Sequence, residues 1–243
     1  SMKKIFCSVI IFIQLYIPLQ LSAHNNMPSR AGEDTTGKMK KVFAVVEDMY
    51  RRFASERNIP GLAFGIVIHG KLVYANALGY SDAEKKIAAT TRSVFRIASM
   101  SKSFTAMAIL RLRDEGRLQL DDAVEKYIPE LKYTKKLTED SPPITIRNLF
   151  THTAGFPEDN PWGDRQLERT DQEFIDFLKK SVSLSSVPGL NYEYSNMGFA
   201  MLGLIISRVS GIHYEDYIKT RIWKPLNMSN TYWEYADVPA AQL

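Results

Sequence analysis

The fold of this chain is decided by residues 99–110, which read SMSKSFTAMAIL. The apolar run predicts a helix over residues 99–115, ended by Gly116. Because this helix is apolar nearly all round, we expect it to be buried in the middle of the protein. Ser99 and Lys102 stand at its start, and residues three apart on a helix share a face. Lys102 is therefore expected to serve as the base for the Ser99 hydroxyl, and the helix N-terminus favours an alkoxide or oxyanion there.

A serine and a lysine at this spacing are weak evidence alone, and a second motif supports them. Residues 194–196 read YSN, just after the turn Pro188-Gly189 and at the start of another apolar run. A phenol near an ammonium can pass protons, and an amide can orient a lysine and a substrate carbonyl. Tyr74 and Asn76 repeat the spacing in mid-strand and are interpreted as ordinary sheet residues. A packing role for Tyr194 is the alternative interpretation.

Other patterns predict an α+β protein, with an antiparallel sheet packed against helices and a mostly helical lobe. Two strand-like runs at residues 62–68 and 72–78 are joined by His69-Gly70, a hairpin signal, and a larger sheet is implied because two strands alone are marginal. Residues 118–190 are rich in loops and prolines. Helices are predicted at residues 38–57, 146–152, 171–180, 196–210 and 214–223, with Gly211 ending the fourth of them.

The N-terminal segment has the pattern of an export signal. Residues 2–23 have a basic start, an apolar middle and small residues at the end, so residues 1–23 are interpreted as a signal peptide, with Ser1 left by cloning. An uncleaved membrane anchor is the alternative. Residues 24–37 are predicted to be a flexible leader. Cleavage would remove Cys7, the single cysteine, and we expect a secreted or periplasmic protein without disulfides and without stable membrane insertion.

The charge balance argues against a nucleic-acid partner. The chain has 31 basic and 27 acidic residues, a formal charge of +4. Removal of Lys3 and Lys4 with the signal would leave about +2, and nucleic acid requires a concentrated basic face.

Three blocks of sequence, in this order, resemble the class C β-lactamase and D-alanyl-D-alanine carboxypeptidase-like serine hydrolases, which share the penicillin-recognising fold. They are residues 95–102 (FRIASMSK), 149–155 (LFTHTAG) and 194–198 (YSNMG). The resemblance implies a β-lactamase/transpeptidase-like fold over residues 38–243. It also implies that Ser99 is the acylated nucleophile, Lys102 its base partner, Tyr194 the proton-transfer phenol and Asn196 a polar residue that binds substrate.

The third motif of that family, a Lys-Thr-Gly-like or His-x-Gly-like triplet on a C-terminal strand, is not found after Asn196. We therefore expect the hydrolase domain to be incomplete at its C-terminus, as a fragment in preference to a natural truncation. The absent strands would leave an unpaired edge on the hairpin and an oxyanion pocket without its second N–H. Little or no hydrolase activity is expected of the 243-residue chain.

His152 could suggest a Ser-His-Asp enzyme, but no Gly-x-Ser-x-Gly elbow exists in the sequence. We interpret His152 as scaffold beside the site. No spacing of His, Asp or Glu suggests a metal, and no cofactor is expected. The loop of residues 156–164 is a candidate rim of the site, where Trp162 is either an apolar substrate contact or a packing residue.

Two functions remain open from the sequence. The leading one is an exported serine hydrolase that forms an acyl-serine intermediate with a β-lactam, a D-amino-acid peptide or a small ester. The alternative is a non-catalytic, penicillin-binding-like module that recognises cell-wall peptides or a protein partner. A small-molecule or peptide substrate is expected, and the oligomeric state is left open.

Overall fold

The computed structural model describes residues 35–159, residues 169–239 and Gln242. The predicted signal peptide, the leader up to residue 34 and Trp162 lie outside the described residues. The chain divides into two compact units, of which the first holds the described residues up to Ile97 and from Tyr232 onward. The second unit is Ala98–Thr231.

The first unit contains one long helix and an antiparallel sheet. Helix α1 is Thr35–Glu56, and the strands are β1 Gly61–Ile68, β2 Lys71–Asp82 and β3 Ile87–Ala88, in the order β1-β2-β3. The predicted hairpin is confirmed, and β3 enlarges the sheet as expected. The helix begins at Thr35, so residues 35–37 belong to α1 and the prediction that they form part of a flexible leader is wrong.

The hairpin turn has the backbone geometry that its sequence predicts. His69 and Gly70 have φ angles of 50° and 73°, and two successive positive values match the right-handed twist of paired strands. Ile68 lies opposite Lys71 across this turn, and Gly61 lies opposite Gly79 at the other end.

Aromatic side chains hold α1 against the sheet. Phe43 stacks on Tyr74 with ring centroids 4.6 Å apart, and Tyr50 stacks on Phe64 at 4.3 Å. The Tyr74 hydroxyl donates to Glu47 at 2.9 Å. Tyr74 is thus a packing residue of the sheet, as its mid-strand position predicts.

The outer edge of β1 has no partner among the strands that the structure describes. Apolar side chains near the hairpin turn face solvent, with Val67 64% and Leu72 65% exposed. The predicted unpaired edge is therefore present in the described part of the chain.

The second unit is helical. Its helices are α2 Lys102–Asp114, α3 Ile146–Phe150, α4 Asp171–Lys179, α5 Asn196–Ser210 and α6 Tyr214–Ile218. Short 3₁₀ turns occur at Ala98–Ser101, Val124–Lys126 and Pro129–Tyr133, and a π-helical turn at Lys219–Trp223 follows α6. The helix predicted over residues 214–223 is therefore present in two parts.

Helix α5 forms the centre of this unit and has the predicted limits. The Ser195 side chain caps its first turn by accepting from the Gly198 N–H, and Gly211 ends it with a φ of 74°. Met201, Leu202 and residues 204–206 are buried along it. No single described helix is long and apolar enough to cross a membrane; α5 and the segment 214–223 meet that test only as a pair bent by 76°.

Helix α2 differs from its prediction in two ways. It begins at Lys102, because residues 98–101 form a 3₁₀ turn, and hydrophobic periodicity does not distinguish the two helix types at a terminus. It is buried on one face, where Ala108, Ile109 and Leu112 pack, whereas Met107 is 40% exposed. The prediction of a helix buried all round is wrong.

Candidate active site

Ser99 lies in the 3₁₀ turn immediately before α2, and its side chain is exposed. Residues i and i+3 of a 3₁₀ helix eclipse one another, so the turn brings Lys102 directly beside Ser99. The distance from Lys102 Nζ to Ser99 Oγ is 3.1 Å. Ala98, the preceding residue, has a φ of 46°, a value in the left-handed region that alanine rarely adopts.

Tyr194 and Asn196 reach the same point from the start of α5. The Tyr194 hydroxyl donates to Ser99 Oγ at 2.7 Å, and Lys102 Nζ donates to Asn196 Oδ1 at 2.6 Å. Hydrogen bonds thus connect the four residues that the sequence singled out, from Tyr194 to Ser99, from Ser99 to Lys102 and from Lys102 to Asn196. Their catalytic and substrate-binding roles stay predictions.

Aromatic rings complete the surroundings of the lysine. Lys102 Nζ lies 4.8 Å from the centre of the Tyr194 ring and 5.5 Å from that of Phe199. Within the described residues no carboxylate forms an ion pair with Lys102. The amine is thus held by an amide oxygen, a hydroxyl and ring faces.

His152 lies behind Tyr194. Its ring stacks on the Tyr194 ring at 4.6 Å, and its Nδ1 accepts the Ser195 N–H at 3.0 Å. Burial lowers the pKa of His152, the charge of Lys102 lowers it further, and Asp159 partly opposes the shift. The neutral ring is the form that can accept at Nδ1, so these effects favour the observed hydrogen bond. The interpretation of His152 as scaffold agrees with this geometry.

Asp159 is a residue beside the site that the sequence did not single out. Its carboxylate accepts the backbone N–H groups of Asn196 at 2.6 Å and Met197 at 2.7 Å, and the Ser195 hydroxyl donates to it at 3.2 Å. It belongs to the loop that was predicted to form a rim. No spacing in the sequence connects a loop carboxylate with a helix start almost forty residues later.

The described side chains offer no metal site. Over residues 35–159 and 169–239, no three His, Cys, Asp or Glu side chains gather closely enough to hold a metal ion.

A protein-family model described as Beta-lactamase matches residues 46–243. The chain belongs to the Beta-lactamase family, and the resemblance drawn from the three sequence blocks is confirmed. The predicted fold class is confirmed as well, because solved structures of this fold superimpose on most of the chain.

Three similar proteins indicate the range of the family. Protein flp of Staphylococcus aureus (strain COL) is 37% identical over 177 residues, which are 72% of this chain and 35% of that protein. An octameric penicillin-binding protein homologue from Pyrococcus abyssi is 34% identical, with a TM-score of 0.69 over 80% of this chain and 45% of that one. A class C beta-lactamase is 27% identical, with a TM-score of 0.70 over 84% of this chain and 53% of that one. The chain thus spans about a third of the curated relative and about half of the solved structures.

Proposed function

We propose that this chain carries the acylation centre of a serine hydrolase, in which Ser99 forms an acyl-enzyme with a β-lactam, a D-amino-acid peptide or a small ester. The observation that carries the proposal is that Ser99 Oγ lies within hydrogen-bonding distance of both Lys102 Nζ and the Tyr194 hydroxyl. A serine hydroxyl is a weak nucleophile unless an adjacent group takes its proton, and both neighbours can do so.

The proposed reaction begins when Ser99 Oγ attacks the carbonyl carbon of the substrate. The serine proton passes to the Lys102 amine, directly or through the Tyr194 phenol, and the carbonyl oxygen becomes an oxyanion. Collapse of the tetrahedral intermediate breaks the bond to the leaving nitrogen or oxygen, which receives a proton from Tyr194, and Lys102 returns the serine proton to the phenol. Water then attacks the acyl-serine, releases the acid and returns the hydroxyl to Ser99.

The positions of the partners support these roles. Asn196 Oδ1 holds the lysine at 2.6 Å, which orients Nζ toward Ser99. The Ser99 backbone N–H stands at the start of a helical segment, where the peptide dipoles favour a developing negative charge. We also propose a secreted or periplasmic location, supported by the signal-like residues 2–23.

The test is a covalent label measured by intact mass. Purified chain is incubated with a fluorescent penicillin and, separately, with a fluorophosphonate, and one added probe per chain is expected at Ser99. A single covalent addition is the chosen signal because it reports formation of the acyl-serine and does not depend on its release. The label should disappear in Ser99→Ala and persist in Ser103→Ala, a matched variant of an exposed serine whose hydroxyl bonds the Met100 carbonyl.

An unlabelled wild-type chain would count against the hydrolase and favour the non-catalytic module. Binding of cell-wall peptide without a mass increase, measured by calorimetry on the same preparation, would support it.

A further inference from the structure

We infer that Asp159 is a positioning residue of the acylation centre, which acts with His152 to fix the backbone that carries Tyr194 and Asn196. The inference rests on the proposed function for its catalytic consequence. Its structural basis is independent of that function, since it consists of contacts between side chains and backbone N–H groups.

The carboxylate of Asp159 contacts the start of α5 at three places. One oxygen accepts the Asn196 N–H at 2.6 Å, and the other accepts the Met197 N–H at 2.7 Å and the Ser195 hydroxyl at 3.2 Å. Hydrogen bonds to an ionised carboxylate are roughly twice as strong as those between neutral groups. The position at the positive end of a helix adds a favourable interaction with the helix dipole.

His152 holds the backbone N–H of Ser195, which precedes those of Asn196 and Met197. The Ser195 N–H donates to its Nδ1 at 3.0 Å. Three successive backbone N–H groups, those of residues 195, 196 and 197, are thus held by two side chains that are seven positions apart in sequence. The Glu193 N–H also donates to the His152 carbonyl oxygen, at 2.8 Å, and this bond holds the chain just before Tyr194.

This arrangement determines where the two functional side chains point. Tyr194 and Asn196 flank Ser195, so a rotation of the backbone at residues 195–197 would move the phenol and the amide away from Ser99 and Lys102. The bonds at stake are the 2.7 Å contact of Tyr194 with Ser99 and the 2.6 Å contact of Lys102 with Asn196. A displacement of about 1 Å in a reacting geometry is enough to cost on the order of a hundredfold in rate.

Asp159 accepts N–H groups at the start of α5 that the N-cap residue of the helix does not reach. The α5 N-terminus already has a cap of its own, because Ser195 Oγ accepts the Gly198 N–H at 3.0 Å. Asp159 takes the two N–H groups that this cap leaves, and these belong to Asn196 and its neighbour. The two roles can be distinguished in a variant that folds without the Asp159 carboxylate. If Asp159 positions the site, such a variant labels slowly; if Asp159 only stabilises the fold, such a variant labels at the wild-type rate.

The experiment compares Asp159→Ala with Glu158→Ala, which removes an exposed carboxylate one residue away. Phosphonylation by the fluorophosphonate is followed over a range of probe concentrations, to separate the limiting first-order rate constant from the half-saturating concentration. We expect Asp159→Ala to lower the rate constant by about 10- to 100-fold with at most about a twofold change in half-saturation. Glu158→Ala should match wild type in both quantities.

A second measurement reports on the backbone itself. Amide hydrogen exchange followed by NMR should show protected Asn196 and Met197 N–H groups in wild type and faster exchange of both in Asp159→Ala, with other α5 amides unchanged. If the Asp159→Ala variant does not fold, Asp159→Asn is measured in its place. An amide oxygen can still accept one of the two N–H groups, so an intermediate rate constant is expected.

The outcomes separate the two hypotheses. A folded Asp159→Ala protein that labels at the wild-type rate overturns the inference. So does an Asp159→Asn protein that labels at the same rate as Glu158→Gln, the control that neutralises the neighbouring carboxylate. If wild type takes up no probe, the proposed function has failed, and the exchange measurement alone decides whether Asp159 holds the segment. Unchanged exchange at Asn196 and Met197 would then overturn the inference on structural grounds.

Discussion

Lys102 Nζ lies closer to Asn196 Oδ1, at 2.6 Å, than to Ser99 Oγ, at 3.1 Å. The two residues begin different helices, α2 and α5, and are 94 positions apart. The amide is therefore the principal acceptor of the lysine, and it determines where the amine stands relative to the serine.

Replacement of Asn196 should disable the lysine without unfolding the protein. Asn196 holds Nζ beside Ser99, and a misplacement of about 1 Å costs on the order of a hundredfold in rate, so Asn196→Ala is expected to slow labelling of Ser99 by roughly 10- to 100-fold. The measurement is the rate of fluorophosphonate addition by intact mass. Asn76→Ala is the matched control, because Tyr74 and Asn76 repeat the spacing in β2. Equal labelling rates in the two variants would show that Asn196 does not contribute to the reaction of Ser99.

The phenol of Tyr194 can be tested separately from its ring. Tyr194→Phe keeps the aromatic face on which His152 stacks and removes the oxygen that bonds Ser99. We expect labelling to fall by about 10²- to 10⁴-fold, the usual contribution of general acid–base catalysis, with little change in melting temperature. Tyr74→Phe should show the reverse pattern, with normal labelling and reduced stability, because it loses the bond to Glu47. Normal labelling in Tyr194→Phe would leave this residue only a packing role.

The pH dependence of stability should carry a contribution from His152. Its pKa in the folded protein is lowered from 6.5 by burial and then by Lys102, with Asp159 opposing, while Tyr192, Tyr194 and Phe199 face its ring. The unfolded chain therefore takes up a proton at higher pH than the folded one. The contribution of neutral His152 to the free energy of unfolding is fully present above pH 6.5. It is lost as the pH falls through the lowered pKa that His152 has in the folded protein.

The measurement is the free energy of unfolding from denaturant titrations between pH 8 and pH 5, where wild type should lose more than His152→Phe. The phenylalanine variant keeps an aromatic ring for stacking and has nothing to titrate at this position. Parallel pH profiles for the two proteins would contradict the assignment.

Ala98 should store conformational strain beside the nucleophile. Its φ of 46° costs a residue with a Cβ on the order of 1–2 kcal/mol, whereas glycine adopts this value freely. Ala98→Gly is expected to raise the free energy of unfolding by about 1 kcal/mol, after allowance for the greater freedom of the unfolded chain. Ala106→Gly, inside α2, should lower it by about the same amount. A loss of stability in both variants, measured by denaturant titration, would show that Ala98 is unstrained.

Local signals in the sequence accounted for much of the fold. The hairpin could be predicted because His69-Gly70 supplies both the turn and the register, and α5 because Ser195 and Gly211 mark its two ends. The 3₁₀ turn before α2 could not, since an apolar run has no feature that separates it from the first turn of an α-helix.

The site shows the same division between local and distant signals. The Ser99, Lys102, Tyr194 and Asn196 positions were predicted from two short motifs, whose internal spacing reflects helix geometry. Asp159 was missed because its partners are 36 to 38 residues away, and a contact of that kind depends on how the loop folds back. Long-range hydrogen bonds to backbone amides place no demand on the type of residue that donates, so they leave no motif.

The edge of β1 that has no partner among the described strands is a surface of the first unit on which a second copy can pair. Unpaired N–H and C=O groups along a strand can join the same edge of a second copy, and the exposed Val67 and Leu72 add apolar surface near the turn. Such pairing would be concentration-dependent and would join two sheets into one. The four predicted site residues all belong to the second unit. Sedimentation of a labelled sample would thus report self-association through the first unit, while the label itself reports acylation in the second unit.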